Sequence, residues 1–287
     1  MVYPKFSQGD SQIMSAIVPI LLYHSIAKDV TSQYSKWAIP PEMFATHMAY
    51  LHECQYTPIT VTQFVQALTQ QHLLLPNHPI ILTFDDGLAD FYTGALPVLQ
   101  GYGFAATLYI TTGFVGGTSR WLRHEGEGRR SMLTWTQIAR INASGVECGA
   151  HSYSHPQLDI LSVAAARDEI VRCKIELEQH LGRPVETFAY PYGYYSLIVR
   201  RLVQQAGYTS ACAVKHALSG LTDDRFALAR IIVARNTDVA GLDRLLAGRG
   251  LHVAPLRERL QTKGWRLMRQ SARLLRQHSW VQPSGKM

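Results

Sequence analysis

The sequence predicts an α/β fold: a distorted or incomplete (β/α) barrel of about seven parallel strands, followed by a basic C-terminal helix. Three observations carry this expectation. Short apolar runs of strand length alternate with amphipathic helical stretches, the pattern of repeated βα units around a parallel sheet. The alternation recurs about seven times, which favours a barrel over a short open sheet. The chain has 287 residues, of which 47% are hydrophobic, enough for one large core and incompatible with wholesale disorder.

The elements follow in order. An apolar stretch from Ile13 to Tyr23 leads into "VPILLYH" (18–24). It is short for a membrane span and lacks a basic flank and a small-residue cleavage site, so it reads as a first buried strand. Helical patterns at 41–54 and 61–70 precede the second strand, "PIILTF" (79–84), and a further helix over 89–101. "AATLYIT" (105–111) is the third strand. The polar, glycine-rich "GGTSRWLRHEGEGRR" (116–130) reads as a long surface excursion before a helix at 135–143 opened by "TWTQ". "GVECGA" (145–150), "TFAYP" (187–191), "TSACAV" (209–214) and "FALARIIV" (226–233) complete the strands, with helices at 161–181, 196–206 and 238–247. Pro255 suits the start of a last helix over 256–278.

Charge divides the chain. The formal net charge is +7, and from Leu251 onward eight basic residues face a single acid, Glu258, so the whole excess lies in the tail. We therefore divide the chain into a catalytic domain, 1–250, and a basic amphipathic tail, 251–287. The 256–278 stretch sets Leu260, Trp265, Leu267, Met268, Leu274 and Leu275 among cations. Such a helix either lies on an anionic membrane surface or packs its leucines on the barrel. No nucleic-acid motif accompanies it, so no nucleic acid is expected. Cys54, Cys148, Cys173 and Cys212 are scattered without a CxxC pair, which excludes a thiolate zinc site and a disulfide framework. The expected location is cytoplasmic, with peripheral contact at the inner membrane face through the tail.

Active groups in a parallel barrel come from the strand ends and the loops after them. The residues there are His24, the Asp85-Asp86-Gly87 turn, His151 with His155, Pro191-Tyr192-Gly193, and those around Arg230. His151 and His155 are spaced i, i+4; a helical turn would put both on one face, a common half-site for Zn²⁺ or a similar ion. A carboxylate from a neighbouring strand end would leave positions open for water and substrate. Adjacent residues of an extended segment point to opposite sides, so one acid can bind a metal while the other accepts a proton from water. The alternatives are a solvated "DDG" turn that caps a helix and two polar loop histidines.

"TFDDG", then "HSYSH" about 65 residues on, then "FAYPYG" resemble, in order, the first three motifs of the polysaccharide deacetylases, the carbohydrate esterase family 4 or NodB-homology group. "LLYHSI", "LPVLQGYGFAATLYI" and "FALARIIV" are also similar, and the resemblance spans about residues 18–235. It implies hydrolysis of an acetamido or related acyl group on a sugar, in an oligo- or polysaccharide or a lipid-linked saccharide. It implies Asp85 as general base, and Asp86, His151 and His155 as ligands of a divalent metal, Zn²⁺ first, with Co²⁺, Mn²⁺ or Ni²⁺ as alternatives. The backbone N–H of Tyr192 would help hold the developing oxyanion.

Two departures from the family pattern stand out. Ala189 occupies the place where many members carry the arginine that orients the base, and Arg230 is the candidate to supply that guanidinium. The family's C-terminal histidine acid has no clear counterpart; His24 ranks ahead of His252 and His216. Tyr23, Tyr190 and Trp135 could stack on sugar faces, although core packing is their ordinary role. A hydrolase of another non-peptide C–N bond, such as a formamide or cyclic imide, and a non-catalytic carbohydrate-binding or membrane-associated homologue are the competing functions.

Overall fold

The computed structural model describes residues 17–70, 74–254, 264, 268 and 269. Seven parallel strands form its main sheet: β1 (Ile20–Tyr23), β2 (Pro79–Phe84), β3 (Thr107–Ile110), β4 (Glu147–Ala150), β5 (Thr187–Ala189), β6 (Ser210–Cys212) and β7 (Ile231–Ile232). Their spatial order is β6-β5-β4-β3-β2-β1-β7. Ile20 pairs with Ile81, Leu108 with Cys148, Ala211 with Phe188, and Leu21 with Ile231. A short strand, Thr57–Ile59, pairs with the first half of β2, and β3 pairs with its second half. A parallel bridge from Cys212 to Leu228 links β6 to the segment that enters β7. The sheet therefore curls into the distorted barrel the alternation predicted.

The helices also lie where the periodicity put them: α1 (Pro41–Glu53), α2 (Val61–Thr69), α3 (Leu96–Tyr102), α4 (Trp135–Ala143), α5 (Val163–Leu181), α6 (Leu197–Gln205) and α7 (Val239–Leu246). Local chemistry sets their ends. Thr60 and Thr134 open α2 and α4 with reciprocal capping boxes to Gln63 and Gln137. Ser162, Ser196 and Asp238 cap α5, α6 and α7, each cap contributing about 1 kcal/mol. The pattern expected over 89–101 divides into a wide π turn, Phe91–Ala95, followed by α3.

Strand residues alternate between two apolar layers. Leu21, Leu82, Leu108 and Phe188 join the large cluster under the helices, whereas Ile20, Ile81, Tyr109 and Cys212 face an inner cluster that Val61, Phe64 and Val65 of α2 complete. Tyr23 and Tyr190 are fully buried, and Tyr190 donates to the Phe226 carbonyl, 2.9 Å away. Trp135 lies flat on His180, ring centroids 3.8 Å apart. For these three the core or helix-surface role holds. Cys148, Cys173 and Cys212 are buried free thiols and Cys54 is half-buried.

Two excursions build a cap over the C-terminal ends of the strands. One contains the paired segments Ser25–Ile26 and Ala38–Ile39; the other is the 116–130 stretch. They share a small apolar core of Tyr34, Ala38, Leu88, Leu122 and Met132, flanked by Trp37, Phe114 and Trp121. Arg130 ties the cap down, donating to Asp90 at 2.6 Å, to Ser25 Oγ at 3.0 Å and to Glu127 at 3.3 Å. The excursion is thus an ordered wall with a buried side, more than the surface feature its polarity suggested.

After α7 the chain continues to pair with the barrel: Val253 bridges Leu218, and Ala254 is buried. The 256–278 helix lies outside the described residues apart from Gly264, Met268 and Arg269. Among the described residues no helix is long and apolar enough to cross a membrane.

Gly149 tests the inner packing. A Cβ there would lie 2.6 Å from Cδ1 and Cε1 of Tyr109. Gly149→Ala is expected to destabilise the protein by about 1–3 kcal/mol through overpacking, read as a lower urea midpoint at unchanged slope.

Candidate active site

β2 ends at Phe84 and delivers two buried carboxylates that part company at once. Asp85 turns into the barrel. Its Oδ1 and Oδ2 accept from Nη1 and Nη2 of Arg230 at 2.6 and 2.8 Å. Arg230 is wholly buried and also donates to Thr83 Oγ1 and the Ala213 carbonyl. It lies just before β7, below the rim, so it reaches the acid from inside the barrel rather than from a strand end. Burial alone would raise the Asp85 carboxyl; Arg230, and then His151, outweigh it and hold the group below the usual carboxylate range.

Asp86 turns the other way, towards the histidines. Its Oδ1 lies 3.3 Å from His155 Nε2 and 3.6 Å from His151 Nε2. Burial would raise this carboxyl too, but the hydrogen bond and charge interaction with His155 bring it well below the ordinary value. His151 follows β4 directly. Its Nδ1 is 2.8 Å from the Ala189 carbonyl; a carbonyl only accepts, so Nδ1 carries the proton and Nε2 presents a lone pair to the site. Burial drives its pKa down to about 4.

The His151–His155 segment is an irregular loop, not the helical turn that the i, i+4 spacing suggested. Ser152 and His155 have φ of +63° and +59°, and the Ser152 hydroxyl accepts from the His155 amide at 3.0 Å. Glu169 of α5 clamps the loop: its carboxylate accepts from the Ser154 amide at 2.7 Å and from the Ser154 hydroxyl at 2.5 Å, and its carbonyl accepts from Tyr153 N. Asp86 and Tyr192 are also left-handed, with φ of +79° and +59°. Four non-glycine residues at one site thus hold a conformation that costs about 1–3 kcal/mol each, and the surrounding hydrogen bonds maintain it.

Tyr192, in the Pro191–Gly193 turn after β5, sets its ring edge-on to His155 at 4.7 Å and leaves 45% of its surface exposed. Its amide donates to no acceptor among the described residues. The cap adds two aromatic residues that nothing in the strand-end rule pointed to: Trp121 stacks on His155 at 5.1 Å and Trp37 lies 4.8 Å from His24. His24 faces the acid pair. Burial lowers its pKa, and the charges of Asp86 and Asp85 partly offset this. His216 instead accepts from the Ile232 amide, and the His252 backbone pairs with Leu218. Among the described residues neither touches the acids or the paired histidines.

Asp86, His151 and His155 can accommodate a metal ion. One ligand atom from each lies within 4.8 Å of the others, and all three residues are buried. The Nε2 lone pair of His151, the ring of His155 and a carboxylate oxygen of Asp86, converging in one buried place, are a donor set that a divalent cation satisfies.

The fold and this site define a class. Residues 75–211 match the family model for polysaccharide deacetylases, the family whose motifs the sequence resembles. The chain is 26% identical over 220 residues to YxkH of Bacillus subtilis (strain 168), provisionally named a polysaccharide deacetylase, covering 76% of this chain and 72% of that one. It is 24% identical over 219 residues to the poly-β-1,6-N-acetyl-D-glucosamine N-deacetylase of Escherichia coli K12; the match takes in 66% of this chain and only 32% of the E. coli protein. In fold it is similar to the Streptococcus pyogenes deacetylase PplD, solved in complex with acetate, with a TM-score of 0.70 at 23% identity over 81% of this chain and 99% of that one.

The Glu169 clamp generates a prediction. Glu169→Ala frees the loop that carries both histidines and is expected to weaken Zn²⁺ binding roughly 10–100-fold, measured by competition with a chromophoric chelator.

Proposed function

We propose that this protein is a metal-dependent hydrolase that removes an N-acetyl or related acyl group from an amino sugar in an oligo- or polysaccharide or a lipid-linked saccharide. One observation carries the reading: Asp86 lies against both histidines, whereas both oxygens of the adjacent Asp85 are engaged by Arg230 and its Oδ2 lies 3.8 Å from His151 Nε2, beside the candidate metal position. A site that only bound metal would have no use for a second buried carboxylate with its own guanidinium.

The residues then take distinct parts. Asp86, His151 and His155 would hold the ion, Zn²⁺ first; when bound, it supplies a Lewis acid that polarises the acyl carbonyl and makes water acidic. Asp85, ionised at neutral pH, takes the proton from the attacking water. Arg230 fixes both carboxylate oxygens in one plane and so aims the base. It stands in for the arginine that Ala189 lacks. The Tyr192 amide donates to the oxygen that gains charge during attack. His24, which interacts with the charges of both acids and lies against Trp37, would return a proton to the departing amine. Trp37, Trp121 and the exposed Tyr192 ring offer flat apolar faces for sugar rings.

The substrate named for the E. coli relative is the first to test. With Zn²⁺ added, the protein is expected to release acetate from β-1,6-linked N-acetylglucosamine oligomers, and chelation should stop it. Asp85→Asn should lower kcat by about 10²–10⁴-fold with Zn²⁺ affinity retained. Metal-loaded protein that releases acetate from no acetylated saccharide would sink the reading, and turnover confined to formamides or cyclic imides would move the chain to that substrate class.

Arg230→Lys separates aim from charge. It keeps a buried cation beside Asp85 but loses the two parallel hydrogen bonds. The protein should fold, and kcat should fall by roughly tenfold or more with KM little changed.

A further inference from the structure

The tail reaches the site through Arg269. Its Nη2 is 2.6 Å from Oδ2 of Asp159, whose side chain is 1% exposed. The guanidinium carbon lies 3.7 Å from the ring centroid of Tyr194. Asp159 follows directly from the histidine loop, in the short turn Leu158–Ile160. Tyr194 stacks beside Tyr192, centroids 6.1 Å apart, and Tyr192 abuts His155 at 4.7 Å. A series of contacts thus runs from Arg269, over two tyrosine rings, to a candidate metal ligand.

We propose that Arg269 is a positioning residue for the glycan-binding rim. Its side chain sits between Asp159 and Tyr194, and so holds the Tyr192–Tyr194 turn as one wall of the cleft beside the reacting sugar. The chemistry favours this use. An arginine that stacks on an aromatic face while bound to a buried carboxylate loses little freedom and gains both contacts together. Tyr192 is the half-open ring of the series and has a left-handed backbone, so its turn depends on outside support to stay in place. The wall lies one ring beyond His155. It would therefore touch the sugar unit next to the reacting one, making Arg269 matter for long substrates and not for a single acetylated sugar.

The inference rests on the deacetylase reading for its effect on substrate, but not for the docking itself, and the two are tested separately. In the full-length chain, Arg269→Gln is compared with Arg269→Gln/Asp159→Asn, which removes both charges of the pair. Amide hydrogen exchange of residues 158–161 and 191–195 is expected to speed up about tenfold in both, with the other strands unchanged. Exchange equal to that of the parent protein overturns the proposal, whatever the activity. On β-1,6-linked N-acetylglucosamine oligomers, KM is expected to rise about fivefold or more for long chains and to stay unchanged for the monosaccharide, whatever fall in kcat the loosened Tyr192 amide brings to both. A KM that changes equally on short and long substrates, or on neither, would also overturn it. If the parent protein hydrolyses no acetylated sugar, the functional reading fails while the exchange result still decides the docking.

Discussion

The buried pair of Arg230 and Asp85 is the constraint around which the rest of the molecule is arranged. Removing two charges from water costs several kcal/mol per ion, and a cation and an anion recover that cost only when geometry and further hydrogen bonds are good. Here both carboxylate oxygens meet both terminal guanidinium nitrogens, and Nε and Thr83 complete the set. The pair has no packing role that an apolar residue could not fill. Its presence inside a barrel otherwise plugged by Ile20, Ile81 and Cys212 marks a place where function outranks stability. The polar lining extends to Tyr109, whose hydroxyl bonds Thr187 and Cys212, so the upper interior forms a connected network rather than an isolated charge.

Around that pair, the site is held by groups that do not touch the reacting centre. The Ala189 carbonyl sets the proton on His151, Glu169 grips the histidine loop, and Arg130 pins the cap that carries Trp37 and Trp121 over the rim. Gly113 shows how closely these layers fit: its amide donates to the Tyr153 carbonyl, and a Cβ there would stand 2.6 Å from that same oxygen. The left-handed residues at Asp86, Ser152, His155 and Tyr192 are strained one by one, and the network of supports makes the strained arrangement the stable one.

Much of this was legible in the sequence, because hydrophobic period and strand-end chemistry are local signals. The seven strand runs and the helix starts at Thr60, Thr134 and Ser162 appear in the structure where periodicity and capping residues put them. The parting of Asp85 from Asp86 was expected from strand alternation, but the strand ends at Phe84 and the left-handed backbone of Asp86 turns it towards the histidines. The loop carrying His151 and His155 did not follow, since i, i+4 spacing fits a turn of helix and an irregular loop equally well; only the grip of Glu169, on another element, decides between them. Trp121 was hidden for a similar reason. Its neighbours are polar and glycine-rich, and its stacking on His155 depends on a cap core whose members are far apart in the chain. Arg230 was singled out as a substitute for the arginine missing at Ala189, but its approach from below the rim required the closed barrel to be seen.

That approach has a further consequence. The guanidinium that orders Asp85 stands 145 residues later in the chain, on the last segment to enter the sheet. Bonds between such distant partners form late, after the loop between them has been closed. The candidate ligand residues and the acid pair all precede β5 in the chain, but Asp85 lacks its guanidinium partner until the segment from Leu228 to Ile232 lies between β6 and β1. A growing or partly unfolded chain therefore carries Asp86, His151 and His155 before Asp85 has the partner that fixes both its oxygens. Ring closure and chemical competence are one event, and the last strand acts as the key that completes both.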